Sequence, residues 1–123
     1  MSPELLQLQS YLERAKFADP SVWLQRGLNP SQPDVIARME SVVNEVCSAA
    51  IQAHTSRASP QGTARAMGAA LRNWKAHEFD TEEREFICSE AASMAKVLGL
   101  RMGSQLNLWL YGRLLGTLVN LGR

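Results

Sequence analysis

Apolar residues recur every three or four positions along most of the chain, a spacing typical of amphipathic α-helices. The clearest stripe extends from Val35 to Ile51 and predicts a long helix that starts at Pro33 and ends near His54. Similar spacing recurs on both sides of this segment, and nowhere does the pattern require a β-strand. The sequence therefore predicts an all-α protein.

Capping residues and prolines indicate the other helix boundaries. Ser2 before a proline is a favourable N-cap, and the stripe that follows predicts a first helix that runs to about Phe17. Small and breaker residues at 55–62 predict a loop. A short second helix is predicted between Asp19-Pro20 and Gly27. After the loop, the fourth helix starts at Pro60 or Ala64, and the fifth lies between Asp80 and Gly99. The last helix follows Gly103-Ser104.

The final segment, residues 104–122, is apolar around almost its whole circumference when drawn as a helix. Only Arg113, Thr117 and Asn120 form a narrow polar strip. A soluble helix of this kind must be surrounded by other helices. We therefore predict a compact bundle of five main helices plus one short helix, with the C-terminal helix central, as a single domain over residues 1–123.

Length and composition fit one globular domain. The chain has 123 residues, of which 46% are hydrophobic and 20% charged. The 13 Lys and Arg against 12 Asp and Glu give a net charge of +1, which indicates neither a nucleic-acid nor an acidic-membrane partner. No signal peptide is predicted, so we expect a cytoplasmic protein. Cys47 and Cys88 lie in apolar helical patterns and are expected to be reduced core thiols.

Short motifs that match known chemistry have simpler structural interpretations. Residues 95–112 resemble a helix-turn-helix, but the helix that would read DNA carries leucine, tryptophan and tyrosine instead of polar side chains. An S-x-x-K motif at 93–96 lacks the rest of its enzymatic constellation. His54 and His77 have no cysteine or histidine at ligand spacing. We therefore predict no metal site, no cofactor and no nucleic-acid partner. Glycine, asparagine and arginine also interrupt the final segment too often for a membrane span.

The acidic run that starts at Asp80 supports two interpretations. Asp80 and Glu83 have the spacing of a capping box, in which each side chain bonds the backbone of the other. Acids in a first helical turn also suit the helix dipole. In an enzyme, two of these carboxylates would instead serve as acid and base.

Three segments together resemble a family of small, stand-alone bacterial proteins of unknown function. They are GLNPS at 27–31, DTEEREFIC at 80–88 and LNLWLYG at 106–112. The resemblance implies a bacterial, cytosolic, single helical domain, and it implies no activity. If the family shares a functional site, the positions that it indicates are Asp80, Glu83, Arg84, Trp109 and Tyr111.

The leading hypothesis is a non-enzymatic interaction protein that binds a protein partner, as immunity proteins and adaptors do, or a second copy of itself. It depends on surplus aromatic side chains near helix ends, some of which we expect to be exposed: Tyr11, Phe17, Trp23 and Phe79. One alternative is an enzyme or small-ligand binder that uses the Asp80–Glu85 acids with Tyr111. Another is a helix-turn-helix DNA binder.

Overall fold

A computed structural model describes residues 2–110, and across this range the protein is helical, without strands. The all-α prediction is confirmed. From residue 103 to residue 110 the chain is again helical, and we call this segment α6. The elements before it are α1 (Pro3–Glu13), α2 (Pro20–Leu24), α3 (Pro33–Thr55), α4 (Pro60–Arg72), a 3₁₀ turn (Ala76–Glu78) and α5 (Thr81–Val97).

Helix α3 is the element on which α1, α4 and α5 all pack. Its buried side chains repeat at three- and four-residue intervals, as the sequence predicts, because that spacing keeps them on one side of a helix. The partly buried Val35 and Ile51 extend this apolar stripe at its two ends. The fully buried part of the stripe consists of Met39, Val42, Val43, Val46, Cys47 and Ala50.

Helix α1 ends at Glu13, and the predicted end near Phe17 is wrong. Lys16 turns back, and its ammonium group donates to the carbonyls of Tyr11 and Arg14 at 2.7 Å each. Its backbone N–H donates to both carboxylate oxygens of Glu40 in α3, at 3.0 and 2.9 Å. The apolar spacing continues past this point, but these bonds to a distant helix end α1 earlier.

The aromatic side chains near the helix ends lie in the core. The expectation that they form an exposed patch is wrong for Phe17, Trp23 and Phe79, which are 0, 1 and 3% exposed. Phe17 and Trp23 pack edge-on against Phe86 of α5, with ring centroids 4.7 and 5.1 Å away. The indole N–H of Trp23 donates to the carbonyl of Phe17 at 2.8 Å. The Trp23 side chain is therefore buried without leaving its N–H unpaired. Of the four aromatic residues, only Tyr11 remains partly exposed.

Left-handed residues end several of the helices. Gly27 and Gly99 have φ angles of 73° and 67°, as expected for glycine just after a helix end. After α5, the N–H of Leu100 donates to the carbonyl of Ala95 at 2.8 Å, and the N–H of Gly99 donates to the carbonyl of Lys96 at 3.1 Å. These two bonds define a Schellman ending. Arg57 has the same role after α3, with a φ angle of 62°.

Helix α4 begins at Pro60, with Ser59 as N-cap, which decides between its two predicted starts. The hydroxyl oxygen of Ser59 accepts the N–H of Gly62 at 3.0 Å. The loop between α3 and α4 is therefore shorter than the predicted 55–62.

Helix α6 packs against α4 at a glycine. A Cβ atom at Gly68 would overlap the side-chain oxygen of Gln105, so only glycine permits this approach without movement of Gln105. Trp109 is buried, and its indole N–H donates to the carbonyl of Trp74 at 2.9 Å. The predictions for the C-terminal helix beyond residue 110, including its central position and its polar strip, lie outside the described residues. No helix in residues 2–110 is both long and apolar enough to cross a membrane.

We predict that Lys16→Met lowers the free energy of unfolding by about 3 kcal/mol, because it leaves the Glu40 carboxylate and two carbonyls without their cationic partner. The measurement is urea denaturation at pH 7. Arg14→Met is the matched control. Its side chain is half exposed and pairs with Glu90 at 3.5 Å, so its loss should cost less than about 1 kcal/mol. Equal losses in the two variants would contradict the assignment.

Candidate functional site

The predicted capping box is present at the start of α5. The Asp80 carboxylate accepts the N–H of Glu83 at 2.7 Å, and the Glu83 carboxylate accepts the N–H of Asp80 at 2.8 Å. The second Glu83 oxygen accepts the hydroxyl of Ser31, which follows α2. Glu83 is only 7% exposed. Its carboxylate therefore joins two of the segments on which the family resemblance depends.

The other predicted site residues lie around this cap. Arg84 donates from its guanidinium to the carbonyl of Asp80 at 3.4 Å and to the hydroxyl of Thr81 at 3.3 Å. Trp109 packs beside Phe79, with ring centroids 6.3 Å apart, so it lies next to the residue that precedes the cap. Tyr111 lies outside the described residues. Asp80, Glu83, Arg84 and Trp109 are thus neighbours, and the contacts of the first three are those of a helix N-terminus.

A second polar cluster lies between the end of α1, α3 and α5, and sequence reasoning missed it. Lys16, 3% exposed, is 3.7 Å from the carboxylate of Glu40. Arg14 pairs with Glu90 of α5 at 3.5 Å. Burial raises the pKa of Glu90, and the nearby charges of Arg14 and Lys16 partly oppose that rise.

This cluster has the chemistry of a structural ion network. The Lys16 ammonium group can donate three hydrogen bonds, and it has two carbonyls and a carboxylate as neighbours. Glu40 also accepts the backbone N–H of Phe17, at 3.3 Å. Because its donors and acceptors are used within the fold, the cluster holds α1 against α3 and presents no free lysine to a substrate.

The two cysteines are buried free thiols, as predicted. Burial raises the pKa of Cys88 to about 12, with Arg84 lowering it and Glu85 raising it further. Burial likewise raises the pKa of Cys47, whose thiol donates to the carbonyl of Leu8 at 3.1 Å. A thiolate is the nucleophilic form, so neither side chain is suited to catalysis. Within residues 2–110, no three His, Cys, Asp or Glu side chains lie together as a potential metal site.

An arginine-bearing surface is the third polar feature, and we define it by Arg65, Arg72 and Arg101. The outward stripe of α4 contains Gln61, Arg65, Ala69 and Arg72, which are all exposed. Arg101 is also exposed and lies beside the first turn of α4. Within the described residues, the three ion pairs involve Arg14, Lys16 and Arg38. None of them includes an arginine of this surface.

A small pocket lies at one end of this arginine surface. It has a volume of about 240 Å³ and lies between the start of α4 and the turn after α5. Its polar lining residues are Arg101 and Gln61. Its other lining residues are small or apolar: Pro60, Ala64, Gly99 and Leu100.

The order of charges along the chain carries a signal that the net charge conceals. No acidic residue occurs between Glu45 and Glu78, or after Glu90. Helix α4 and the turn at 99–101 come from these two acid-free stretches. The net charge of +1 is therefore the sum of segments that contain acidic residues and segments that contain only basic ones. That these two stretches lie side by side is information that only the fold supplies.

Comparisons with known proteins agree with this fold and add no activity. A family model described as a domain of unknown function, DUF4844, matches residues 2–113. No curated protein matches the chain. Among solved structures, the chain is similar to the crystal structure of a DUF3571 family protein from Acinetobacter baumannii, with a TM-score of 0.77 and 18% identity. That likeness covers 94% of each chain, and at this identity it shows the fold alone.

We predict that Glu83→Ala lowers the free energy of unfolding by about 2 kcal/mol, since it removes acceptors from two donors, one in a distant loop. Urea denaturation measures the change. Glu85→Ala removes an exposed acid from the same helix and should change stability by less than about 0.5 kcal/mol. If Glu83→Ala were as mild as this control, the cap would not hold the Ser31 loop in place.

Glu90 should make stability depend on pH in a defined direction. Because burial raises the folded pKa of Glu90 above its ordinary value of 4.5, the folded state binds the proton more tightly than the unfolded state does. Its contribution is fully present below pH 4.5 and is lost as pH rises through the folded pKa. Glu90→Gln should flatten that decline in the pH profile of urea midpoints. An unchanged profile would contradict the assignment.

Proposed function

Because the chain belongs to the DUF4844 family, a domain of unknown function, we propose its function from its own surface: it is a non-enzymatic protein that binds a protein partner. The observation that carries the proposal is the arginine surface with its adjoining pocket. Three exposed arginines have no acidic partner within the described residues. One of them, Arg101, lines a small pocket whose other walls are partly apolar. Arginine is enriched at protein interfaces because it combines charge with a planar, weakly hydrated head group.

The basis of the proposal thus differs from that of the sequence hypothesis. The aromatic side chains from which a contact patch was expected are mostly core residues. Exposed arginines are better suited than buried aromatic side chains to selecting a partner. Charge complementarity determines the orientation and association rate of a complex more than its affinity. Burial of an apolar side chain in the pocket would supply affinity, roughly 1.5–3 kcal/mol for one large side chain.

The contacts of the acidic cluster favour binding over catalysis. Asp80 and Glu83 direct carboxylate oxygens at backbone N–H groups, and Glu83 also accepts the Ser31 hydroxyl. A general acid or base needs a carboxyl group within hydrogen-bond reach of a substrate. The pocket, lined by α4 and residues 99–101, contains neither acid.

A helix-turn-helix function would require polar side chains on the outward side of α6. The exposed residues of α6 are Gly103, Ser104 and Leu108, and the indole N–H of the buried Trp109 is used by the Trp74 carbonyl. Base edges are read by hydrogen-bonding side chains, and among the exposed residues of α6 only Ser104 supplies one. The described part of α6 therefore supports protein binding better than DNA recognition.

Site-specific photocrosslinking in the native host tests the proposal. A benzoylphenylalanine at position 69, an exposed site between Arg65 and Arg72, should yield a discrete protein adduct. The same probe at position 10, exposed on α1, is the control and should yield none. An adduct of twice the mass of the chain would identify a second copy as the partner. A nucleic-acid adduct, or no discrete adduct at position 69, would overturn the proposal.

A further inference from the structure

We infer that the arginine surface receives an acidic peptide segment with one apolar side chain seated in the pocket. This inference rests on the proposed function and names the chemistry of its partner. Two independent features of the surface lead to it. One is the charge of Arg65, Arg72 and Arg101, and the other is the shape and lining of the pocket.

The charges select an acidic ligand. Arg65 and Arg72 are seven residues apart on one side of α4, which places their Cα atoms roughly 10 Å apart. Arg101 is brought to the first turn of the same helix by the end of α5. An extended peptide advances about 3.3 Å per residue and places every second side chain on the same face. Carboxylates two or four positions apart, roughly 6.6 or 13 Å, therefore face the two α4 arginines from one side of the strand, and the long arginine side chains span the difference. Guanidinium groups bind carboxylates through paired N–H donors.

The pocket selects one apolar side chain of that ligand. Pockets for drug-sized ligands measure roughly 300–1,000 Å³, and this one measures about 240 Å³. Proline, alanine and leucine contribute to its walls, and Arg101 lies at the same pocket. An apolar residue there would leave a neighbouring carboxylate close to a guanidinium. A nucleic acid offers the negative charge without a flexible aliphatic group for the pocket.

Fluorescence anisotropy with defined peptides tests the inference on the full chain. The probe is a labelled ten-residue peptide of Glu and Asp with a single central Leu. The comparison peptide has Ala in place of that Leu. We expect saturable binding at low salt, a several-fold weaker Kd for the Ala peptide, and further weakening as salt screens the charges.

Two double variants distinguish binding through the arginine surface from binding through the net charge of the protein. Arg65→Gln with Arg72→Gln lowers the charge of the chain by two on α4 and should weaken binding roughly tenfold. Gln7→Glu with Ser10→Glu lowers it by the same amount on the exposed side of α1 and should leave Kd within about twofold. All four positions are exposed. Thermal melts of both variants provide the check that they fold.

Several results would overturn the inference. They are no saturable binding at low salt, equal affinity for the Leu and Ala peptides, equal weakening in both double variants, or tighter binding of a single-stranded DNA of matched charge. A protein adduct at position 69 together with any of the first three would leave the proposed function standing and refute only this partner chemistry. Failure of both experiments would refute both proposals.

Discussion

The bonds between Lys16 and Glu40 determine how the first third of the protein meets the rest. Glu40 accepts two consecutive backbone N–H groups and faces the ammonium of Lys16, whose other bonds go to carbonyls at the end of α1. One carboxylate on α3 thus sets where α1 stops. The same bonds turn Phe17 into the core, where it packs on Phe86 of α5. The ion pair between the buried Lys16 and Glu40 thus positions the end of α1 on α3 and Phe17 on α5.

The cap of α5 uses a carboxylate in the same way. Glu83 belongs to a local capping box, but its second oxygen binds Ser31, more than fifty residues earlier. A local helix-start signal thereby also holds the connection between α2 and α3. In both places a carboxylate satisfies backbone donors while linking distant segments. Since buried polar groups are costly without partners, these links make the arrangement specific.

The two polar assemblies have structural roles, and the arginine surface is the feature on which the proposed function rests. Within the described residues, the carboxylates of Glu40 and Glu83 have internal partners, and the exposed arginines of α4 and the 99–101 turn lack ion-pair partners. Asp80 and Glu83, which the sequence suggested as possible catalytic carboxylates, have contacts that stabilise a helix. The arginine surface, in contrast, is formed by residues that belong to no motif. Motif searching finds residues close in sequence, whereas a surface combines residues that are distant in sequence.

Local rules in the sequence determined the helical class, the long α3, the N-caps at Ser2, Asp19 and Asp80, and the left-handed ending at Gly99, because each depends on neighbours within one or two turns. Of the candidate site, the sequence determined the capping pair and a resemblance without an activity. Only the tertiary structure decided that α1 stops early, that the helix-end aromatics are buried, and that Arg101 lies beside α4. Each of these outcomes depends on a partner far along the chain, such as Glu40 for α1, and periodicity contains no information about such partners.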